Sequence, residues 1–165
     1  MSECCDHTHD HPCEHGHEEP PIDKAALFDS LVDRCRKAGL RRTFLLRQVL
    51  TRLVEQDSPV SVPVLQTDPE ISKACDPATL YRLMERLESH QIVRRVGLHE
   101  RAAHYYLNLP NRHRDFLVCI DCGSVEVLKL RCPVGAFDEE VSRETGFKGV
   151  YHELQFYGHC RACQG

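Results

Sequence analysis

Four cysteines in two Cys-x-x-Cys pairs, Cys119/Cys122 and Cys160/Cys163, are the residues of this 165-residue chain whose types and spacing most directly imply chemistry. Each pair can place two thiolates on one tetrahedral ion at about 2.3 Å, and two such pairs complete a structural zinc site. A closed four-sulfur shell leaves no position for a substrate. No nucleophile is matched with a base elsewhere, so an enzyme is the least expected class. The first pair closes the stretch RHRDFLVCIDCG, which also carries His113 and Asp115. As i,i+2 neighbours, those two point the same way wherever the chain is extended. The question is whether this stretch only staples a fold or also senses something.

The elements around the quartet are short. FLVCI, SVEVLKL and VYHELQFY read as strands, and GAFDEEVSRETG reads as a helix ended by Gly146. A zinc ion on the four sulfurs would tie the last strand back to the first and close a small α/β unit with a strand edge to share between two chains.

The preceding half is helical and basic. Leu27, Leu31 and Cys35, flanked by Phe28 and Val32, recur at helical spacing until Gly39, a natural C-terminal cap. Thr43 caps a second helix with a stripe of Leu46, Val49, Leu50 and Leu53. A short segment VPVLQ and a loop with Asp68-Pro69 follow. Asp76 and Pro77 then open a third helix, which buries Leu80, Leu83, Met84 and Leu87 and presents Thr79, Tyr81, Arg82 and Arg86 on its other face. IVRRV and HYYLNL, joined by GLHERAA, complete the pattern of a winged helix-turn-helix.

Charge divides the chain in the same way. Residues 22 to 112 are cationic, whereas residues 1 to 21 carry acidic groups and no Lys or Arg, so the net charge of -4 conceals a basic middle suited to nucleic-acid phosphate. The tail MSECCDHTHDHPCEHGHEEPP is rich in His and Cys and poor in apolar residues, so it reads as a disordered segment with weak transition-metal affinity. No apolar run is long enough to cross a membrane and no secretion signal is evident. The expected location is therefore the cytoplasm, where ten cysteines are free thiols or ligands rather than disulfides.

The order of motifs resembles the ferric uptake regulator family of metal-responsive repressors. The likeness rests on GLRRTFLLRQVLTRL, ATLYRLMERLESHQIVRRV, HRDFLVCIDCGSV and YHELQFYGHCRAC, and runs from about Asp23 to Gln164. It implies an α+β protein in three parts. Residues 1 to 21 would be a tail, 22 to 108 a winged-helix DNA-binding domain, and 109 to 165 a dimerisation domain with structural Zn2+ on Cys119, Cys122, Cys160 and Cys163. It further implies a homodimer that grips a palindromic double-stranded DNA operator once a regulatory divalent metal, Zn2+ or Fe2+, has closed a hinge, with Thr79, Tyr81 and Arg82 on the recognition helix.

The sequence departs from the family at the sensor. Arg114 and Phe116 occupy two usual His positions, while the hinge-side His and the ligand on the preceding strand would fall near Ser58-Pro59 and Tyr106. What remains by resemblance is His113, Asp115 and His152, with Glu126 or Cys132 as a further ligand. Apart from the resemblance, His99 and His104 bracket the segment from wing to hinge and, with Glu100, are candidate ligands of an altered sensor site. Zinc is favoured over iron by the His/Cys tail and the depleted His run. Two other readings stand beside the repressor: a redox sensor of the same fold that loses DNA when a ligand His, Cys35, Cys75 or Cys132 is oxidised, and a metal buffer without DNA binding. Deleting residues 1 to 19 separates repressor from buffer. A repressor keeps its metal-dependent DNA binding in a gel-shift assay, whereas a buffer loses most of its metal capacity.

Overall fold

The computed structural model describes residues 22–98, 103–109, 112–130, 132–134 and 137–164. The His/Cys tail and His99 lie outside these. Helix α1 (Lys24–Lys37) starts where the Asp23 carboxylate accepts the N–H groups of Ala25 and Ala26. It ends at Gly39, whose φ of +75° lets the N–H of Leu40 reach back to Cys35 O at 2.9 Å. The Thr43 hydroxyl accepts the Leu46 N–H at 3.1 Å and opens α2 (Phe44–Glu55), with Leu46, Val49, Leu50 and Leu53 all buried.

Where the sequence suggests a segment and a loop, the chain forms two further helices, α3 (Val62–Gln66) and α4 (Pro69–Ala74). Five and six residues are too few to show a helical period. Their signal lies instead in the caps: Asp68 accepts the N–H groups of Glu70 and Ile71 and is ion-paired with Arg52, and Pro69 takes the first helical turn. Helix α5 (Pro77–Ser89) then buries Leu80, Met84 and Leu87 completely.

Three strands finish this half: β1 (Val60–Ser61), β2 (Val93–Val96) and β3 (His104–Leu107), antiparallel in the order β1-β3-β2. The β2–β3 hairpin is the wing. Arg34 on α1 donates to Gln91 O at 2.9 Å and Asn108 O at 2.8 Å, so one guanidinium clamps both ends of the hairpin against the helices.

The second half is a sheet of β4 (Asp115–Cys119), β5 (Val125–Leu128) and β6 (Gln155–Gly158) in the order β5-β4-β6, with helix α6 (Phe137–Thr145) between β5 and β6. β4 is antiparallel to β5 and parallel to β6, in a register running from Phe116↔Gln155 to Cys119↔Gly158. β6 is shorter than the run VYHELQFY, so His152 sits on the approach to the strand rather than within it.

Two apolar clusters divide the molecule unequally. The larger joins α1 to α5 and the first sheet, whereas the smaller consists of Val96 and Tyr106 from the wing with Phe116 and Val118 from β4. Truncating Leu80 or Met84 to Ala in the large cluster is expected to cost about 2–5 kcal/mol of stability. Chemical denaturation measures this, and the metal content of the folded protein should not change.

Candidate metal centres

The Cys119-Ile-Asp-Cys122 turn follows β4 directly, and Gly123, with φ +75°, lets the chain reverse so that its N–H reaches Cys119 O at 3.0 Å. The parallel pairing of β4 with β6 sets Cys160 and Cys163 alongside. One sulfur from each of the four cysteines comes within 4.8 Å of every other. The Cys122 and Cys160 sulfurs are 3.8 Å apart, which rules out a disulfide, where the separation is about 2.05 Å. It matches the edge of a tetrahedron built on metal–sulfur bonds of about 2.3 Å.

The electrostatics agree. Hydrogen bonding from the backbone of Cys122 and Cys160 holds the Cys119 thiol down at about 6, leaving a thiolate there at neutral pH. The neighbouring Cys160 and Cys122 side chains push Cys163 up to about 12. Sulfurs this close cannot all ionise unless a cation stands among them. The quartet could hold zinc.

His159 Nδ1 lies 2.5 Å from an Asp121 oxygen, which raises the imidazole pKa and bridges the two knuckles beside the sulfurs.

At the other end of the same two strands is a second cluster. His113 and Asp115 lead into β4, His152 leads towards β6, and Cys132 arrives from the segment after β5. One ligand atom from each lies within 4.8 Å of the others. His113 Nε2 is 2.6 Å from Asp115 Oδ1 and 3.1 Å from His152 Nε2, and Cys132 Sγ is 3.1 Å from that same His152 nitrogen. Asp115 is only 3% exposed, and a carboxylate so enclosed needs a charge partner.

His152 is oriented from behind. Its Nδ1 is 2.8 Å from both oxygens of Asp138 on α6, so the ring proton belongs on Nδ1 and the Nε2 lone pair faces the cluster.

The sequence-derived candidates therefore separate. His113, Asp115 and His152 converge, whereas Glu126 and His104 do not join them. Glu126 is exposed on β5 opposite Leu117, one pleat beyond the level of Asp115, whose own partner is Leu128. His104 lies in the first sheet between Ser61 and Val96. His99 falls outside the described residues. Cys132, rather than Glu126, fills the fourth place, and register decides between them.

The expected hinge-sensor positions also meet, but as packing groups. The Tyr106 and Phe116 rings contact with centroids 4.6 Å apart, and Arg114 donates to the carbonyl of Asp57, next to Ser58, at 3.0 Å. Burial pushes the Tyr106 hydroxyl up to about 12, so the phenol stays neutral. Arg94 on the wing adds a 2.7 Å ion pair to Glu153 and lies over the Tyr151 ring.

On α5, Tyr81 and Arg82 are exposed, while Thr79 is half-buried and engaged in the cap: its N–H and hydroxyl both donate to Asp76.

Residues 37–157 match the model of the ferric uptake regulator family. The ferric uptake regulation protein of Rhizobium leguminosarum bv. viciae is 28% identical over 132 residues, spanning 78% of this chain and 90% of that protein. The ferric uptake regulator of Helicobacter pylori shares the fold, with a TM-score of 0.64 at 18% identity over 84% of this chain and 94% of that one. That of Pseudomonas aeruginosa, solved with manganese, gives 0.62 at 25% identity over 79% and 97%.

Replacing Cys119 by Ser should remove one tightly held metal equivalent, counted by elemental analysis of purified protein. It should also loosen the second half of the chain, seen as faster amide exchange in β4 and β6.

Proposed function

Because this chain belongs to the ferric uptake regulator family of metal-responsive regulators, we propose that it is a homodimeric, metal-dependent repressor that binds a palindromic double-stranded DNA operator. In this reading residues 22 to 108 read DNA and residues 109 to 165 bind metal and dimerise. The observation that carries it is the join between the two halves. The wing beside the recognition helix shares an apolar cluster with the strand that bears Asp115, so the metal cluster and the DNA-reading surface belong to one packed unit.

Tyr81 and Arg82 stand clear of the core on a helix whose opposite side is fully buried, which is the arrangement a major-groove reader needs. Thr79, tied into the cap, serves the start of that helix and can still accept from a base or water through its oxygen. Dimerisation is supported by the outer face of the second sheet, where Leu117 of β4 and its partner Phe156 of β6 are exposed side by side. A two-fold dimer presents two recognition helices, hence the palindrome. Among the described residues no helix is long and apolar enough to cross a membrane, in keeping with a protein acting on DNA in the cytoplasm.

Zinc in the Cys119/Cys122/Cys160/Cys163 quartet is structural. The His113/Asp115/His152 cluster is the regulatory site, with zinc favoured over ferrous iron because a His/Cys-rich tail accompanies a depleted His run. Regulation follows from linkage: a metal that binds the DNA-competent form more tightly must strengthen DNA binding by the same factor.

A random duplex library selected on the metal-loaded protein supplies a probe for gel-shift titration. Binding should tighten on adding zinc to protein stripped of its labile metal, and equal affinity in both states refutes the proposal. Arg82→Ala should weaken the metal-loaded complex by about 1–3 kcal/mol, with thermal stability unchanged.

A further inference from the structure

We infer that Cys132 is a true ligand of the second cluster, making it a closed four-coordinate thiolate site that selects zinc-class ions and rejects manganese and ferrous iron. This rests on the reading of His113, Asp115 and His152 as a regulatory metal site and specifies the ions it takes.

The geometry points that way because four donors of different chemistry, two imidazole nitrogens, one carboxylate and one sulfur, meet around a single point. Three of their six separations are 2.6 to 3.1 Å, inside the tetrahedral edges of about 3.3 Å between nitrogen or oxygen ligands and about 3.6 Å between nitrogen and sulfur that zinc bonds of about 2.0–2.1 and 2.3 Å set. Hydrogen bonds hold the donors together at that spacing, and one small ion can replace them with little movement.

Without the sulfur, two imidazoles and a carboxylate would leave a position for water and suit ferrous iron as well as zinc. With it the shell is full. A thiolate is soft, so it deepens the affinity for zinc and cobalt relative to manganese and iron beyond the ordinary rise across the first-row ions. A four-coordinate shell also withholds the extra oxygen positions that manganese takes in octahedral sites.

One competing arrangement uses the same atoms. Cys132, His152 and Asp138 form a sulfur–imidazole–carboxylate line, the geometry of a thiol activated by an oriented base. Against a nucleophile stand the other two members: His113 Nε2 meets the same His152 nitrogen and carries the buried Asp115 carboxylate behind it, which an acceptor of the Cys132 proton would not require. The activated thiol is instead what a vacant metal site exposes. The metal-free protein should therefore alkylate at Cys132, and the loaded protein should be protected.

The test is a Co2+ titration of full-length protein that retains zinc in the Cys119/Cys122/Cys160/Cys163 quartet after mild chelation. Binding of one cobalt should give a near-ultraviolet sulfur-to-metal charge-transfer band and the strong visible bands of a tetrahedral ion. Stoichiometric zinc should abolish both, and excess manganese or anaerobic ferrous iron should not. Cys132→Ser should keep the quartet's zinc yet lose the charge-transfer band. Asp138→Ala should weaken cobalt binding about 10–100-fold with the band retained.

A bound cobalt without that band, or equally fast iodoacetamide labelling of Cys132 with and without zinc, overturns the thiolate site. If that cobalt still tightens DNA binding, the regulatory reading survives. If no second ion binds at all, both fall.

Discussion

The parallel pairing of β4 with β6 is the constraint on which the second half of the molecule depends. His113, Asp115 and His152 gather at the start of the two strands, and Cys119, Cys122, Cys160 and Cys163 gather at their end. Side chains alternate across a strand with a period of two, so a slip of one residue would turn β6 over relative to Asp115 and Cys119 of β4 and draw the ligands at both ends out of reach of one another. Parallel pairs cannot be joined by a tight turn. Here the long connection through β5 and α6 brings in Cys132 and Asp138. This half has few fully buried apolar side chains of its own, and Phe116 and Val118 finish their packing against Val96 and Tyr106 of the wing. A metal ion on the four sulfurs would supply the cohesion that so small a core lacks.

The same strand links the two halves in a way that uses no ion. Along β4, Asp115 faces the metal cluster and Phe116, the next residue, faces Tyr106. Arg114 is bonded to the Asp57 carbonyl, and Arg94 reaches from the wing to Glu153 and Tyr151. Positions that could have been ligands, Tyr106, Phe116 and Arg114, thus carry an aromatic contact and a charged donor, with an ion pair beside them. The join between the halves is made by protein groups that flank the ligands: Arg114 lies between His113 and Asp115, Phe116 follows Asp115, and Tyr151 and Glu153 stand on either side of His152.

Much of this architecture is legible in the amino-acid sequence. Periodicity and capping mark α1, α2 and α5 because each is long enough to show a stripe, and the Cys-x-x-Cys spacing marks the quartet because coordination chemistry tolerates few alternatives. Helices α3 and α4 are hidden by their length, although Asp68-Pro69 is a helix start signal. The fourth member of the second cluster is harder, since Glu126 and Cys132 are both sensible donors and lie close in sequence. Only the pairing of Asp115 with Leu128 and of Leu117 with Glu126 shows which one arrives. That is a fact of strand register, which composition and spacing do not contain. Resemblance to relatives with intact His runs draws attention to what is missing at Arg114 and Phe116 but not to what those residues do instead.

Helix α6 shows how little a helix needs to bury in order to matter. None of its nine residues is fully buried, yet Asp138 in its first turn faces Nδ1 of His152 with both oxygens. An imidazole has two nitrogens and, when neutral, one proton, so a carboxylate on one side determines the chemistry of the other. Through that contact the helix works as a tautomer lock: it keeps a single proton on the outer nitrogen and leaves a lone pair on the inner one, ready for whatever occupies the cluster.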